Sequence, residues 1–333
     1  MTTPLVDVSD LTVTFAGDRP VHAVNGVSFT LAQGEVLGIL GESGSGKSVT
    51  LKTLLRLLPP KRTKIGGRVA VDGQDVLALE GKALADHRGG VVSMIFQDPG
   101  LALDPVYSIG QQIAETVIRH EGISRREAMA RALDMLEVVR IPSAKRRLSN
   151  YPHEMSGGMR QRAMIALALA CKPKLLLADE PTTALDATVQ IQILLLLREL
   201  QSEMGMGVIF VTHDIGVAVE VSDKLAVMYA GSFVETGTVA EIIRDARHPY
   251  SQGLLAANLV GAEPGTLLQA IPGAPPALHA PPKGCAFAPR CAHARAACAA
   301  YPVPLWQSRE DRWARCVVAA ERGAAHGVQG VAE

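Results

Sequence analysis

The chain has 333 residues, and its 33 lysines and arginines balance 33 aspartates and glutamates, so it is long enough for more than one domain and carries no net charge. This balance gives no electrostatic reason to expect nucleic acid or an anionic membrane surface as a partner. The first ten residues hold two aspartates and no basic residue, which argues against a secretory signal, and no apolar run approaches the ~18 residues of a membrane span. We therefore expect a cytosolic protein without membrane helices of its own.

Short β-rich runs alternate with Gly, Asp and Pro turns near the start of the chain, which predicts a small antiparallel sheet. Its strands are expected at residues 11–15, 27–31 and 67–71. Residues 36–40 form a short apolar run, typical of a buried strand, and residues 49–58 are expected to form a helix.

Residues 41–48, between that strand and that helix, match G-x-x-x-x-G-K-[ST] at every position. Backbone N–H groups and the helix dipole both favour anions at such a junction, and glycines let the backbone approach phosphate oxygens. Lys47 is expected to reach the β- and γ-phosphates, and the Ser48 hydroxyl to ligate Mg²⁺. The alternative is a simple glycine-rich turn before a helix.

Residues 109–140 have a helical pattern that includes the capping box Ser124 to Glu127. We interpret this region as a helical insert between two halves of an α/β core. The core resumes with a buried strand at 175–178, a helix at 188–204, a strand at 208–212 and a helix at 215–221, which predicts a parallel sheet. A hairpin is expected at 224–236, with a second capping box starting at Thr238.

Several polar residues stand at strand or helix ends. Asp179 and Glu180 close the strand at 175–178, an arrangement that places one carboxylate on Mg²⁺ and the next beside an attacking water. His213 and Gln97 follow other β-rich runs, and Ser156 precedes a helix with two glycines, a possible second anion site. Taken singly, each has an ordinary explanation: a turn, a structural histidine, a surface amide or a helix cap.

Together, these motifs resemble an ABC-transporter ATPase over about 250 residues. The resemblance implies binding of ATP and Mg²⁺, with Phe15 stacking on adenine, Glu180 as general base, His213 as switch, and Ser48, Gln97 and Asp179 near Mg²⁺. It assigns the remaining nucleotide contacts to a Walker A loop, a signature motif and a D-loop (184–186), made up of Gly41, Ser43, Gly44, Ser45, Gly46, Lys47, Ser48, Ser156, Gly158 and Asp186. It also implies a head-to-tail pair of such domains, in which Ser156 and Gly158 contact the nucleotide of the partner.

A narrower resemblance concerns the C-terminal part of the chain. The segment 248–254 and the cysteine-containing segment 284–291 are similar to the extension of oligopeptide and dipeptide importer ATPases, which nickel importers share. This resemblance implies a peripheral subunit on the cytoplasmic face of the inner membrane that energises import of oligo- or dipeptides. Its partners would be two transmembrane permease subunits, a second ATPase (another copy or a homologous chain) and an extracytoplasmic solute-binding protein, with no nucleic acid. Import of nickel or another small solute is the alternative, as is a nucleotide-switched iron–sulfur protein.

Four of the five cysteines, Cys285, Cys291, Cys298 and Cys316, lie in the last fifty residues, separated by five, six and seventeen residues. Four thiolates suit either Zn²⁺ or a [4Fe–4S] cluster, and disulfides are rare in the cytosol. The resemblance to peptide-importer ATPases, some of which carry such a cluster, favours iron–sulfur with a structural role.

The expected fold is therefore an α/β ABC ATPase: a RecA-like parallel-sheet core with an antiparallel β subdomain and a helical insert, plus a small Cys-rich C-terminal extension. We expect the ATPase domain at residues 1–260, with the helical insert at about 98–165. A Pro-rich linker and the Cys-rich extension are expected at 261–333, since prolines are frequent beyond residue 261.

Overall fold

A computed structural model of the chain describes residues 3–183, 185–258 and 270–325, with side chains up to residue 322. The chain forms two compact units. The first contains residues 3–5, Leu31–Glu35 and Val71–Ile209, and the second contains Val6–Thr30, Val36–Ala70 and the described residues from Phe210 onward.

The strands follow one another in this order: β1 (Val6–Phe15), β2 (Val21–Leu31), β3 (Val36–Leu40), β4 (Thr63–Val71), β5 (Gln74–Asp75), β6 (Val92–Ile95), β7 (Leu175–Asp179), β8 (Gly207–Thr212), β9 (Lys224–Tyr229), β10 (Ser232–Thr238), β11 (Leu305–Arg309) and β12 (Arg312–Arg315). The α-helices are α1 (Lys47–Leu54), α2 (Gly81–Asp86), α3 (Pro99–Ala102), α4 (Ile109–Glu121), α5 (Arg125–Val138), α6 (Ala144–Arg147), α7 (Gly157–Leu169), α8 (Ala187–Met204), α9 (Ile215–Val221), α10 (Val239–Arg244), α11 (Pro249–Ala256) and α12 (Val317–Ala325). Short 3-10 turns lie at Val76–Ala78, Pro152–Glu154, Ala288–Arg290 and Ala296–Ala299, and a π-type turn lies at His87–Val91.

The first unit joins two parallel strands to a group of helices. β6 and β7 are parallel, with Ile95 opposite Ala178, so both strands end at the same edge. α7 packs against β6 and is contacted by α3, α4 and α5. The capping box at Ser124 is confirmed, because its hydroxyl accepts a hydrogen bond from the Glu127 N–H while the Glu127 carboxylate accepts one from Ser124.

The second unit contains the strand sequence β11-β12-β10-β9-β3 and a separate sheet in the order β2-β1-β4. β3 is parallel to β9, whereas β9, β10, β12 and β11 pair antiparallel with their neighbours. β9 and β10 form the predicted hairpin, in which Ala230 and Gly231 both have positive φ, as a tight two-residue turn requires. A core cluster of Leu40, Ile215, Ala218, Leu225 and Ile242 buries α9 and α10 beside β3 and β9.

The predicted elements are largely confirmed, with different lengths. β1 and β2 are longer than predicted, because their added residues mix buried side chains with half-buried or exposed ones and so form no apolar run. The helix expected at 49–58 ends at Leu54, since Arg56 has a left-handed backbone and Pro59 follows. The boundary proposed at residue 260 falls within 259–269, and Ala184 of the D-loop is also outside the described residues.

Candidate functional site

The loop between β3 and α1 is shaped by glycines at which no side chain fits. A Cβ on Gly41 would lie 2.2 Å from the Met228 carbonyl oxygen, and one on Gly46 would lie 2.4 Å from the Ala23 carbonyl oxygen. Gly46 also precedes α1 with a φ of +108°, a conformation that disfavours other residues. The loop therefore lies tightly against neighbouring backbone of the second unit. This contact fixes the position of the first turn of α1, which directly follows the loop.

Two polar side chains within this loop suit an anionic ligand. Lys47 is buried, and its Nζ donates to the carbonyl oxygens of Gly41 (2.7 Å) and Glu42 (2.9 Å). The Ser45 hydroxyl is buried, and among the described residues it has no hydrogen-bond partner. Ser43 and Gly44 are exposed and Ser48 is half-buried in the first turn of α1. The backbone shape, the ammonium group and the unused hydroxyl fit a polyphosphate, and no acidic side chain interrupts the stretch from Ser43 to Ser48.

The other candidate residues of the second unit lie at strand ends. Phe15 is the last residue of β1 and is half-buried, which leaves part of its ring accessible. His213 directly follows β8 and is exposed. The next residue, Asp214, caps α9 by accepting hydrogen bonds from the N–H groups of Gly216 and Val217.

The first unit brings the predicted carboxylates and the predicted glutamine together. Asp179 is the buried last residue of β7, and Glu180 follows it. The Gln97 amide follows β6 and donates from Nε2 to Oε2 of Glu180 at 3.3 Å, and the Thr183 hydroxyl donates to the same oxygen at 3.1 Å. This convergence follows from the parallel pairing of β6 with β7, which brings both strand ends to one edge.

Glu180 also has an uncommon backbone conformation. Its φ is +47°, in the left-handed region that residues other than glycine seldom adopt. Such a conformation costs on the order of 1–3 kcal/mol and often marks functional positions. Here it turns the chain sharply after the buried strand, and the carboxylate is held by Gln97 and Thr183.

The segment from Ser156 to Gly158 starts α7. The Ser156 hydroxyl caps the helix by accepting a hydrogen bond from the Met159 N–H, so the predicted cap is confirmed. A Cβ on Gly158 would lie 2.9 Å from a methyl group of Val189, so the start of α7 packs closely on α8. Asp186 has a local role, because its carboxylate caps α8 through the Val189 N–H.

The four C-terminal cysteines share one neighbourhood. Burial raises the pKa of the Cys285 thiol to about 11, and Cys316 and Cys298 contribute further increases. Burial likewise raises the pKa of Cys291 and of Cys316, and each is also affected by Cys298. In the described part of the chain, however, no three or more Cys, His, Asp or Glu side chains are arranged to hold a metal ion. The donor set suits a four-thiolate centre but its geometry does not form one, and the iron–sulfur and zinc predictions stay predictions.

One polar contact of the loop at residues 41–48 was not predicted from the sequence. Arg290, beside Cys291, forms an ion pair with Glu42, and the Tyr250 hydroxyl accepts a hydrogen bond from the Glu42 N–H. These partners are separated by more than 200 positions in the sequence, and no local pattern connects them. The sequence shows only an acidic residue, Glu42, in the loop and a basic residue, Arg290, beside Cys291, and each segment had its own explanation.

Comparison with known proteins places these features in a family. Residues 24–183 match the ABC transporter family, and residues 234–298 match the oligopeptide/dipeptide transporter C-terminal region. The chain is 48% identical over 316 residues to a peptide import ATP-binding protein of Brucella abortus, which covers 95% of both chains. The chain belongs to the ABC transporter ATP-binding proteins. It is also 50% identical over 298 residues to a peptide ABC transporter ATP-binding protein of Sinorhizobium fredii, covering 88% of this chain and 89% of the relative.

Solved structures agree with this assignment and with the expected fold. A dimeric ATP-binding cassette in a post-hydrolysis state with ADP and Pi aligns with a TM-score of 0.63 and 30% identity, over 70% of this chain and 98% of the other. CbiO1 from Clostridium perfringens, part of an ABC transporter complex, aligns with a TM-score of 0.63 and 27% identity, over 73% of this chain and 92% of the other. This protein is thus an ABC ATPase, and none of its described helices is long and apolar enough to cross a membrane.

Proposed function

We propose that this ABC ATPase binds and hydrolyses ATP to drive the import of oligo- or dipeptides through a membrane transporter. The observation that carries the peptide assignment is the match of residues 234–298 to the oligopeptide/dipeptide transporter C-terminal region, joined to a complete ATPase motif set in one chain. The relatives named as peptide import proteins support the same assignment, since they align along nearly the whole chain. Import of nickel or another small solute by the same mechanism is the alternative.

In this proposal, Glu180 orients the attacking water and accepts its proton. A carboxylate can do so only if its oxygen is held in place, and the hydrogen bonds from Gln97 and Thr183 supply that restraint. By the family resemblance, Ser48, Gln97 and Asp179 would hold Mg²⁺ through oxygen ligands, and His213 would contact the γ-phosphate. Phe15 stacks on the adenine ring, and Lys47 with the backbone of 41–48 binds the phosphates.

The proposed mechanism also uses a second ATPase, either another copy or a homologous chain. Ser156 and Gly158 would contact the nucleotide held by the partner, with Asp186 in the segment between α7 and α8 contributing to the same interface. The exposed Ser156 hydroxyl at a helix N-terminus is suited to an incoming phosphate. ATP then favours the closed pair because its γ-phosphate adds contacts present only in that state.

An exposed apolar patch of the first unit supports docking to a permease. It consists of Leu101, Val106 and Tyr107, which are 88%, 69% and 50% exposed, in the segment that follows Gln97. Exposed apolar side chains clustered in this way commonly mark protein interfaces. Leu103, in the same segment, is only 3% exposed because it packs inward after α3. We propose that this ATPase lies on the cytoplasmic face of the inner membrane, where its patch contacts one of two transmembrane permease subunits. An extracytoplasmic binding protein would deliver the solute.

Uptake by the assembled transporter tests the proposed function. The ATPase would be purified with its permeases and binding protein and reconstituted into vesicles. ATP would be supplied on the side of the membrane that carries the ATPase. Labelled dipeptides, longer peptides and Ni²⁺ are then compared, with the Glu180→Gln complex as the control for ATP dependence. ATP-dependent peptide accumulation is the expected result, and uptake of Ni²⁺ without peptide uptake would replace the peptide assignment with the nickel alternative.

We propose, in addition, that the four C-terminal thiols hold a [4Fe–4S] cluster with a structural role, with Zn²⁺ as the alternative. The proximity of two of these residues supports this proposal, because the Cys285 N–H donates to the Cys298 carbonyl oxygen at 2.8 Å. Protein purified without oxygen should contain about four iron and four sulfide per chain. Stoichiometric zinc and no iron after iron-replete, anaerobic expression would select the alternative, and the absence of both metals would reject the proposal.

A further inference from the structure

Arg290 connects the C-terminal extension to the phosphate-binding loop. Its side chain is only 4% exposed, and both of its terminal nitrogens donate to the Glu42 carboxylate, Nη1 at 2.6 Å and Nη2 at 3.0 Å. The guanidinium is fixed further by the carbonyl oxygen of Pro272, to which Nε donates at 2.8 Å, and by the Tyr229 hydroxyl at 3.3 Å. A planar guanidinium that donates in two directions is held in one orientation, which a lysine could not reproduce.

The same loop residue is held through its backbone. The Glu42 N–H donates to the Tyr250 hydroxyl at 2.9 Å, and Tyr250 is completely buried. The Tyr250 ring packs on Tyr229, with ring centroids 4.6 Å apart, and on Phe287, at 5.3 Å. Tyr250 therefore restrains the main chain of Glu42, and Arg290 of the extension restrains its side chain.

The sign of the charge at Glu42 makes this restraint relevant to nucleotide binding. Glu42 follows Gly41 directly, so its carboxylate belongs to a loop whose other groups favour anions. A carboxylate near a polyphosphate repels it unless a cation pairs with that carboxylate. Arg290 is the cation that forms the ion pair with Glu42, and it belongs to the 3-10 turn Ala288–Arg290 between Cys285 and Cys291.

We propose that Arg290 is a positioning residue for ATP binding: it neutralises the Glu42 carboxylate and holds it in place, so that the C-terminal extension sets the nucleotide affinity of the loop. This inference rests on the proposed role of residues 41–48 as the phosphate-binding loop. Coupling of this kind is reciprocal, so ATP binding stabilises the extension by the amount that the extension stabilises bound ATP.

A double-mutant cycle on the full chain tests the proposal, with the affinity for a fluorescent ATP analogue as the measurement. Arg290→Ala should raise the Kd about tenfold, within the usual range for coupled sites. Glu42→Gln should change it by less than about twofold, and adding Arg290→Ala in the Glu42→Gln background should have little further effect, because the carboxylate that needs neutralising is gone. Arg309→Ala is the matched control. Arg309 lies in the same extension, but its ion pair is with Glu241 of α10 and not with a residue of the loop.

Equal losses of affinity from Arg290→Ala in both backgrounds would show a purely structural role and overturn the proposal. Should Arg290→Ala fail to fold, Arg290→Lys takes its place in the cycle, with a smaller loss that again depends on Glu42. Hydrogen exchange of residues 285–316 is the second measurement: ATP should slow it in the parent chain, slow it less in Arg290→Lys and not slow it in Arg290→Ala. Lys47→Ala separates the premise from the inference, because unchanged ATP affinity in that variant would refute the loop assignment itself.

Discussion

His248 should make the stability of the C-terminal region depend on pH. The side chain is buried, its Nδ1 accepts the Tyr250 N–H at 3.0 Å, and its Nε2 has no hydrogen-bond partner among the described residues. Burial lowers the pKa of His248 from its usual 6.5 to about 3, so the ring stays neutral in the folded protein. The charged groups close to it are Glu235, which accepts the His248 N–H, and Arg312, which already pairs with Glu235.

The direction and size of the effect follow from this shift. Because the folded pKa lies below the unfolded value, the unfolded chain binds an additional proton, and stability is lost as the pH falls from 6.5 towards 3. At about pH 5 the unfolded histidine is protonated while the folded one is not. The unfolded pKa of 6.5 lies about 1.5 pH units above this pH. At ~1.36 kcal/mol per unit, the free energy of unfolding falls by about 2 kcal/mol because of this residue.

Tryptophan fluorescence provides a local assay. Both tryptophans of the chain lie in the β11–β12 hairpin, and the Trp306 ring contacts Arg247, which precedes His248. Urea unfolding followed by this fluorescence should be compared at about pH 8 and pH 5 for the parent chain and for His248→Asn. Asparagine can still cap α11 but does not titrate, so the parent should lose about 2 kcal/mol more than the variant between the two conditions. Equal losses would refute the assignment of a buried, neutral histidine.

Further predictions concern the catalytic machinery and its partners. Glu180→Gln should retain ATP binding but slow hydrolysis at least ~100-fold in the assembled complex, and hydrolysis at the parent rate would exclude Glu180 as the base. Lys47→Ala should weaken ATP binding itself, measured by equilibrium titration against the parent chain. Ser156→Arg should spare the protomer's own ATP affinity and impair hydrolysis at the partner's site; mixed dimers with one altered protomer decide this, and a defect confined to the altered protomer's own ATP would contradict it. A cysteine at Leu101 should cross-link to a permease, whereas one at the buried Leu103 should not, and capture of only the second ATPase by Leu101 would reject the docking patch.

The sequence predicted those parts of the fold in which burial and local chemistry agree. β3 is apolar and β7 is apolar up to its last residue, Asp179, and both were identified with nearly correct bounds. The capping boxes at Ser124 and Thr238 are confirmed by reciprocal hydrogen bonds. Gln97 and Glu180 lie near each other because the parallel strands β6 and β7 end at a common edge.

The β11–β12 hairpin was not predicted, and the reason lies in its charges. Arg312 begins β12 and is almost completely buried, but arginine in a sequence indicates an exposed position. Its burial is possible only because it pairs with the equally buried Glu235 of β10 and donates to backbone carbonyl oxygens. A residue pattern cannot reveal a buried ion pair whose partners lie 77 positions apart.

The Glu42–Arg290 pair was missed for the same reason, and its position gives that omission functional weight. The pattern of residues 41–48 assigns no role to Glu42, because any residue satisfies its position, so sequence reasoning treated it as a spacer. The structure instead shows Glu42 held at its backbone by Tyr250 and at its side chain by Arg290 of the C-terminal extension. Removing residues 259–333 would then leave an unpaired carboxylate beside the proposed phosphate site, while the contact of the Tyr250 hydroxyl with the Glu42 N–H is retained. The nucleotide affinity of a chain truncated after residue 258 should therefore resemble that of Arg290→Ala more closely than that of the parent. Introducing Glu42→Gln into the truncated chain should recover part of the lost affinity, because it removes the unpaired carboxylate.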